Sequence, residues 1–180
     1  MDIAKVGNLL AYIASNIPNI NLRKLIKVVF LIDEISVIER GLSVTWLDYY
    51  AWQKGPVAPC IYDVKNKDNK FSRYVSAIKN EEGRVIVYSK IEDSVSTLQF
   101  SNKELRLIDS VISEFGGLSA DELSNYTHRP GGLWNSVVRD NHIDFSENGK
   151  SDYRIDLRSL IIDDKDKLNV YDDARELASL

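Results

Sequence analysis

Residues 21–41 read NLRKLIKVVFLIDEISVIERG and decide the architecture that we expect for the whole chain. Apolar side chains recur in this stretch at the spacing of one helix face: Leu22, Leu25, Ile26, Val29, Ile32, Ile35 and Ile38. Asn21 is a good N-cap, and Gly41 is a natural residue just past a helix C-terminus. Val28 and Phe30 add apolar surface on other sides, so we predict that this helix forms the centre of the core. The β-branched residues would also suit a strand, but the helical period persists through the whole stretch.

The segments on either side of this helix give clear local signals. Residues 3–14 carry apolar side chains at helical spacing, and Pro18 ends that helix. Further along, residues 74–79 and 84–89 alternate in character around Gly83, which predicts a small β-hairpin packed on the helices.

The aromatic segment at residues 43–53 is less regular, and it fits either a short helix or a strand. It leads into Gly55-Pro56, which is a turn signal. Residues 57–64 then predict a short helix, with Pro56 or Val57 at its first position.

Two capping boxes predict the starts of later helices. Ser101 with Glu104 opens one helix, and Ser119 with Glu122 opens a shorter one. The turn signal at residues 130–132 precedes another short helical piece at residues 133–138, and residues 171–179 are expected to form a terminal helix.

These elements predict a mainly α (α+β) protein, a compact helical domain with a small β-hairpin. We divide it into a helical domain at residues 1–140 and a C-terminal extension at residues 141–180 that packs on the same domain.

Composition limits the environment and the partners. The chain has 180 residues, a net charge of −4 and one cysteine, and its longest apolar run, Val28 to Ile32, is far too short to cross a bilayer. The N-terminus has no basic region followed by an apolar stretch, so we expect a cytoplasmic protein without a secretory signal or membrane contact.

The inventory of catalytic groups is small. His128 and His142 lack metal-ligand spacing, Cys60 lies in an apolar setting, and the glycine pairs match no phosphate-binding loop. His128 is interpreted as a capping or packing group rather than a base, and a Cys60–His128 nucleophile pair is the weaker alternative. We therefore expect no enzymatic activity, no cofactor and no metal.

One basic cluster leaves a rival function open. Lys65, Lys67, Lys70 and Arg73 lie close together, although Asp63 and Asp68 dilute them. A solvated loop is the preferred interpretation, and a phage-derived regulatory module that binds nucleic acid through this cluster is the alternative.

Three segments occur in a recognisable order: KLIKVVF at residues 24–30, AWQKGPV at residues 51–57 followed by Ile61-Tyr62, and LSADEL at residues 118–123 followed by Thr127-His128 and Trp134. In this order they resemble the Panacea domain, the SocA-like antitoxin family that also includes GepA-type phage-associated proteins. The resemblance covers about residues 5–140. Lys54 stands where the family often has an aromatic residue, Leu133 stands where proline is frequent, and the segment after Asp140 has no counterpart.

The resemblance implies an antitoxin that neutralises a cognate toxin by direct binding, and in one branch of the family an adaptor that delivers the toxin to a protease. The motif residues that it marks are Lys24, Lys27, Trp52, Gly55, Pro56, Val57, Tyr62, Thr127, His128 and Trp134. We interpret the motif as structural, with the toxin-contacting surface elsewhere, and keep open the alternative that the motif itself makes the contact. On either interpretation, exposed aromatic residues between Trp46 and Tyr62 and around Trp134 are candidate anchors for the partner.

Overall fold

A computed structural model describes residues 1–91 and 99–179 of the chain. As the sequence predicted, the fold is mainly α with a small β component. The helices are α1 (Ile3–Asn16), α2 (Leu22–Arg40), α3 (Pro59–Tyr62), α4 (Asn102–Phe115), α5 (Ala120–Thr127), α6 (Leu133–Asp140) and α7 (Lys165–Ser179). The strands are β1 (Tyr49–Trp52), β2 (Gly55–Val57), β3 (Val75–Lys79), β4 (Val85–Ser89) and β5 (Arg154–Ile155), and 3-10 helices lie at Asp63–Lys65 and Leu157–Ile161.

Helix α2 is the centre of the core, as predicted. It packs against α1, α3, α4, α5, β2, β4 and the 3-10 helix Leu157–Ile161. The Asn21 side chain caps its first turn by accepting from the Lys24 amide, and Gly41 ends it with φ of +67°. The prediction that Ile38 lies on the buried face is wrong, because the buried part of the helix ends at Val37 and Ile38 is 43% exposed.

The aromatic segment after α2 forms an antiparallel sheet in the order β2-β1-β5. The predicted turn at Gly55-Pro56 is wrong: the chain reverses at Gln53–Lys54, and Gly55 and Pro56 are already paired with Trp52 and Ala51 as part of β2. For the same reason neither Pro56 nor Val57 begins a helix. Pro59 takes the first position of α3, where a proline loses no helical hydrogen bond.

The second hairpin and the capped helices form as the sequence predicted. Strands β3 and β4 pair antiparallel from Val75–Ser89 to Lys79–Val85, with Gly83 in the connecting turn at φ of +77°. Both capping boxes are complete, at the starts of α4 and α5. The terminal helix is longer than predicted, because α7 begins at Lys165 rather than at Tyr171.

The last forty residues contribute directly to the core. Ile155, Leu157, Ile161 and Tyr171 are buried in the same apolar cluster as α2. The Ala51 amide donates to the Tyr153 carbonyl, and β5 pairs with β1. This segment therefore extends the sheet and covers one side of α2.

Candidate binding groove

Aromatic side chains of the second and third motif segments meet in one place. The Trp134 Nε1 donates to the Trp52 carbonyl at 2.8 Å, which ties the start of α6 to the end of β1. The His128 ring stacks on Trp134 with centroids 3.6 Å apart and planes 12° apart. Trp52 in turn meets the Tyr62 ring edge-on at 5.0 Å. Segments that are far apart in sequence are thus joined by ring contacts and one hydrogen bond.

Gly55 lies where three elements come together. Its φ is +110°, and a Cβ at this position would lie 2.8 Å from the Lys27 Nζ and 2.9 Å from the Thr127 Oγ1. Any L-residue would therefore clash with α2 and α5 as well as adopt a strained backbone. The Thr127 hydroxyl donates to the Ser124 carbonyl, and the Ser124 hydroxyl reaches the Lys54 carbonyl at 3.2 Å. The turn before Gly55 is thereby fastened to α5.

Lys27 is an unusual member of this cluster because its ammonium group is buried. The residue is 1% exposed, and its Nζ makes one long hydrogen bond of 3.4 Å, to the Pro56 carbonyl. Burial, with a further contribution from the nearby Arg23 charge, lowers the pKa of Lys27 to about 7. The amine is therefore divided between its charged and neutral forms near neutral pH.

His128 is held in its neutral form by the same surroundings. Partial burial lowers the pKa of His128 to about 4, and the charges of Lys27 and Lys54 act in the same direction. Its Nε2 is buried and has no hydrogen-bond partner within the described part of the chain. The ring acts as a flat packing surface for Trp134.

A groove of about 940 Å³ opens beside this cluster. Its walls are the N-terminal end of α2, the β1–β2 turn, the N-terminal end of α5 and the loop at residues 148–150. Five of the motif residues line it, and these are Lys24, Lys27, Trp52, Val57 and Tyr62. The other motif residues lie behind the groove wall rather than in it, and Gly55, Pro56, Thr127 and Trp134 among them are buried.

The groove is strongly basic although the chain as a whole is acidic. Seven basic residues line it: Arg23, Lys24, Lys27, Lys54, Lys65, Arg84 and Lys150. The acidic lining consists of Asp121, which pairs with Arg23 at 2.7 Å, and Glu122, which accepts from the Ser119 amide in the capping box. None of the five lysines forms an ion pair with a carboxylate of residues 1–91 or 99–179.

Two of these lysines lie over the aromatic rings of the groove. The Lys65 Nζ is 3.6 Å from the centroid of Tyr62, and the Lys150 Nζ is 4.8 Å from the centroid of Trp52. Cation–π contacts of this kind orient the ammonium groups without neutralising their charge. Sequence reasoning missed Lys54 and Lys150 as members of the site, and it placed Lys65 in a different cluster, because these lysines meet only in three dimensions.

The remaining sequence-based candidates lie elsewhere. Trp134 is 9% exposed, so the expectation of an exposed aromatic anchor there is wrong: its Nε1 points inward, and its ring packs between His128 and Phe145. Lys67, Lys70 and Arg73 are exposed and line no part of the groove. Burial raises the pKa of the Cys60 thiol, and the sulfur lies 4.0 Å from Met1 Sδ.

The described residues contain neither a metal-binding group of side chains nor a helix that could span a membrane. No group of three or more His, Cys, Asp or Glu side chains there has an arrangement that could hold a metal ion. Within the same ranges, the helices contain no span of sufficient length and apolar character to traverse a bilayer.

Comparison with known proteins gives one finding. A family model described as "Antitoxin SocA-like, Panacea domain" matches residues 25–135. No curated protein and no solved structure matches the chain significantly. The matched range contains the three motif segments almost entirely, from the second residue of KLIKVVF to the residue after Trp134.

Proposed function

The chain belongs to the SocA-like, Panacea-domain antitoxin family, and from this membership we propose that it neutralises a cognate toxin by binding it directly. The observation that carries the proposal is the family match, which covers more than half of the chain and every motif residue except Lys24. In this mechanism the antitoxin covers a functional surface of the toxin, so its effect depends on affinity and stoichiometry rather than on turnover.

The structure offers a concave surface with aromatic side chains that suits this role. Hot spots of protein–protein interfaces are often Trp, Tyr and Arg side chains in concave places. Trp52 and Tyr62 are half-buried and line the groove. Both lie in the segment from Trp46 to Tyr62 that the sequence marks as an anchor region.

Co-expression with the neighbouring gene tests the proposal. If the protein is an antitoxin, a small gene beside its own will be toxic alone and tolerated when both are expressed. The purified pair will then form a complex, and titration will show that inhibition of the toxin is complete near one equivalent. Protection by a small substoichiometric amount would contradict binding as the mechanism, and absence of any toxic neighbour would remove the basis of the proposal.

The protease-adaptor form of this function is a finer alternative within the same proposal. Neutralisation by binding alone leaves the toxin concentration in the cell unchanged, whereas an adaptor lowers it. Measuring the half-life of the tagged toxin with and without this chain distinguishes the two. A toxin half-life that falls when the antitoxin is present would favour delivery to a protease.

A further inference from the structure

The groove is basic because of where the fold places the basic residues, and the overall composition of the chain does not account for it. The whole chain has 23 basic and 27 acidic residues, yet seven basic and two acidic residues line the groove. Concave surfaces lined with one sign of charge concentrate the field and attract ligands of the opposite sign. An anionic ligand is therefore the class that this surface selects.

The lysines of the groove lack ion pairs within the described ranges, whereas its two arginines are already paired, Arg23 with Asp121 and Arg84 with Glu82. Lys54, Lys65 and Lys150 are exposed and lack ion pairs within the described ranges, and Lys27 at the base of the groove has one weak acceptor. Lys24 donates to the Gly116 carbonyl and forms no ion pair, although the nearby Glu122 charge acts on it.

The base of the groove is apolar and aromatic. Ile26 and Val57 are buried there, while Trp52 and Tyr62 are half-buried with their rings 5.0 Å apart. Apolar side chains between anionic groups would find matching surface in this place. The Lys65 and Lys150 ammonium groups lie over these rings, so a carboxylate that pairs with either lysine would bring a neighbouring apolar side chain close to the aromatic surface.

The distribution of donors favours several separate carboxylates over one phosphate group. Two of the lysines lie on α2, and the other three stand singly on the β1–β2 turn, at the end of the 3-10 helix Asp63–Lys65 and on the loop at residues 148–150. Phosphate sites gather free backbone amides at a helix N-terminus. Here each cap already occupies one such amide, because the Lys24 amide donates to Asn21 and the Glu122 amide donates to Ser119.

From these observations we infer that the groove is the docking site for an acidic segment of the toxin, in which carboxylate side chains alternate with apolar or aromatic ones. The carboxylates pair with Lys54, Lys65 and Lys150 around the rim, and the apolar side chains pack on Trp52 and Tyr62. This inference rests on the proposed function for the identity of the partner. The chemistry of the segment follows from the groove itself.

Charge reversal of the rim tests the inference. The variant Lys54→Glu/Lys65→Glu/Lys150→Glu changes three exposed groove lysines, and Lys79→Glu/Lys103→Glu/Lys165→Glu makes the same charge change at exposed lysines away from it. The probe is a fluorescent peptide that alternates glutamate with leucine and tryptophan, and its glutamine counterpart is the control. We expect the rim variant to weaken binding of the glutamate peptide about tenfold or more, and the control variant to bind as the wild type does.

Several outcomes would overturn the inference. The first is that the rim variant binds the glutamate peptide as tightly as the wild type does. The second is that the wild type binds the glutamine peptide as tightly as the glutamate peptide. The third is that a single-stranded oligonucleotide or ATP binds more tightly at the same residues. Both variants are also assayed for rescue from the toxin. If the wild type rescues and the rim variant rescues equally well, the inference fails while the antitoxin function stands. If the wild type itself does not rescue, the antitoxin function fails. The peptide measurement alone then decides whether the groove binds acidic segments.

Discussion

Two buried ionisable residues on α2, Asp33 and Lys27, have opposite surroundings. Asp33 is fully buried, and its Oδ1 accepts from the amides of Val44 and Thr45 at 2.8 and 2.9 Å. Its Oδ2 accepts from the Tyr49 hydroxyl at 2.7 Å and from the Thr45 hydroxyl. Both carboxyl oxygens are thus satisfied by the segment that follows α2.

Lys27 is as deeply buried but much less well satisfied. One long hydrogen bond to the Pro56 carbonyl serves an ammonium group that has three donors. Burial raises the pKa of Asp33, and the hydrogen bonds from Thr45 and Tyr49 oppose that shift. At Lys27 burial and the Arg23 charge act together to lower the pKa. Asp33 therefore has all its acceptor atoms satisfied, whereas Lys27, beside the groove, has donors that no described acceptor uses.

The largest effect is expected at Asp33. Replacing it by asparagine puts an NH₂ group among donors, so that at least one buried donor loses its acceptor. We expect Asp33→Asn to lower the free energy of unfolding by about 4 kcal/mol, in the upper range for a buried polar group left unpaired. Urea denaturation measures this. Asp163→Asn, at an exposed position, is the matched control and should have no effect. If both variants change the free energy of unfolding by a similarly small amount, the hydrogen bonds to Asp33 do not stabilise the protein as described.

The next effect is expected at Gly55, which joins the groove side of α2 to β2. Gly55→Ala adds a Cβ within 3 Å of Lys27 and Thr127 at a φ that disfavours alanine, and should destabilise the protein by about 3 kcal/mol. Gly117→Ala is the control, because a Cβ there meets no atom within 4 Å. Thermal unfolding of the two variants side by side measures the difference, and equal melting temperatures would contradict the close packing around Gly55.

The smallest effect has the opposite sign and concerns Lys27 itself. Its folded-state pKa of about 7 lies below the ordinary value of 10.5, so between these values the unfolded chain binds more protons. The stability of the wild type should therefore be lowest below pH 7 and rise by about 2 kcal/mol from about pH 7 to about pH 9, since one pKa unit corresponds to about 1.4 kcal/mol.

Lys27→Met removes the titrating group while keeping its length. We expect this variant to be more stable than the wild type near pH 7, and the advantage to shrink as the pH rises. The free energy of unfolding of both proteins, followed by urea titration across this pH range, checks the prediction. A constant difference at every pH would show that Lys27 does not titrate in this window. If Lys27→Met is more stable than the wild type but binds the toxin more weakly, Lys27 serves binding at the expense of stability, in contrast to Asp33.

What the sequence predicted and what it missed follow from the range of the interactions. The start of α2 at Asn21, its end at Gly41 and the capping boxes depend on contacts within a few residues, and all were predictable. Gly55-Pro56 was misassigned as a turn because these residues usually serve that purpose. Here the glycine is required by the approach of Lys27 and Thr127, which are distant in sequence.

The groove was not predictable for the same reason. Its lysines come from four separate segments, and no local spacing connects Lys54 with Lys150. The motif pointed to the right region, since five of its residues line the groove and two of them, Lys24 and Lys27, are basic. The exposed lysines of the rim, Lys54, Lys65 and Lys150, are not among the motif residues. Local patterns predict which helices form, and only the packed structure brings these cations together.

The loop that carries Lys150 is attached to the sheet in a way that bears on how recognition can evolve. The Gln53 amide donates to the Gly149 carbonyl, the Ala51 amide donates to the Tyr153 carbonyl, and the Ser151 hydroxyl donates to the Ala51 carbonyl. The two attachments at residues 149 and 153 use backbone atoms, which every residue type supplies. The side chain of Lys150 has no part in them, and this loop lies outside the family-matched range. Mutation can therefore alter the charge of this wall of the groove, and with it the ligand that the groove selects, while the fold persists.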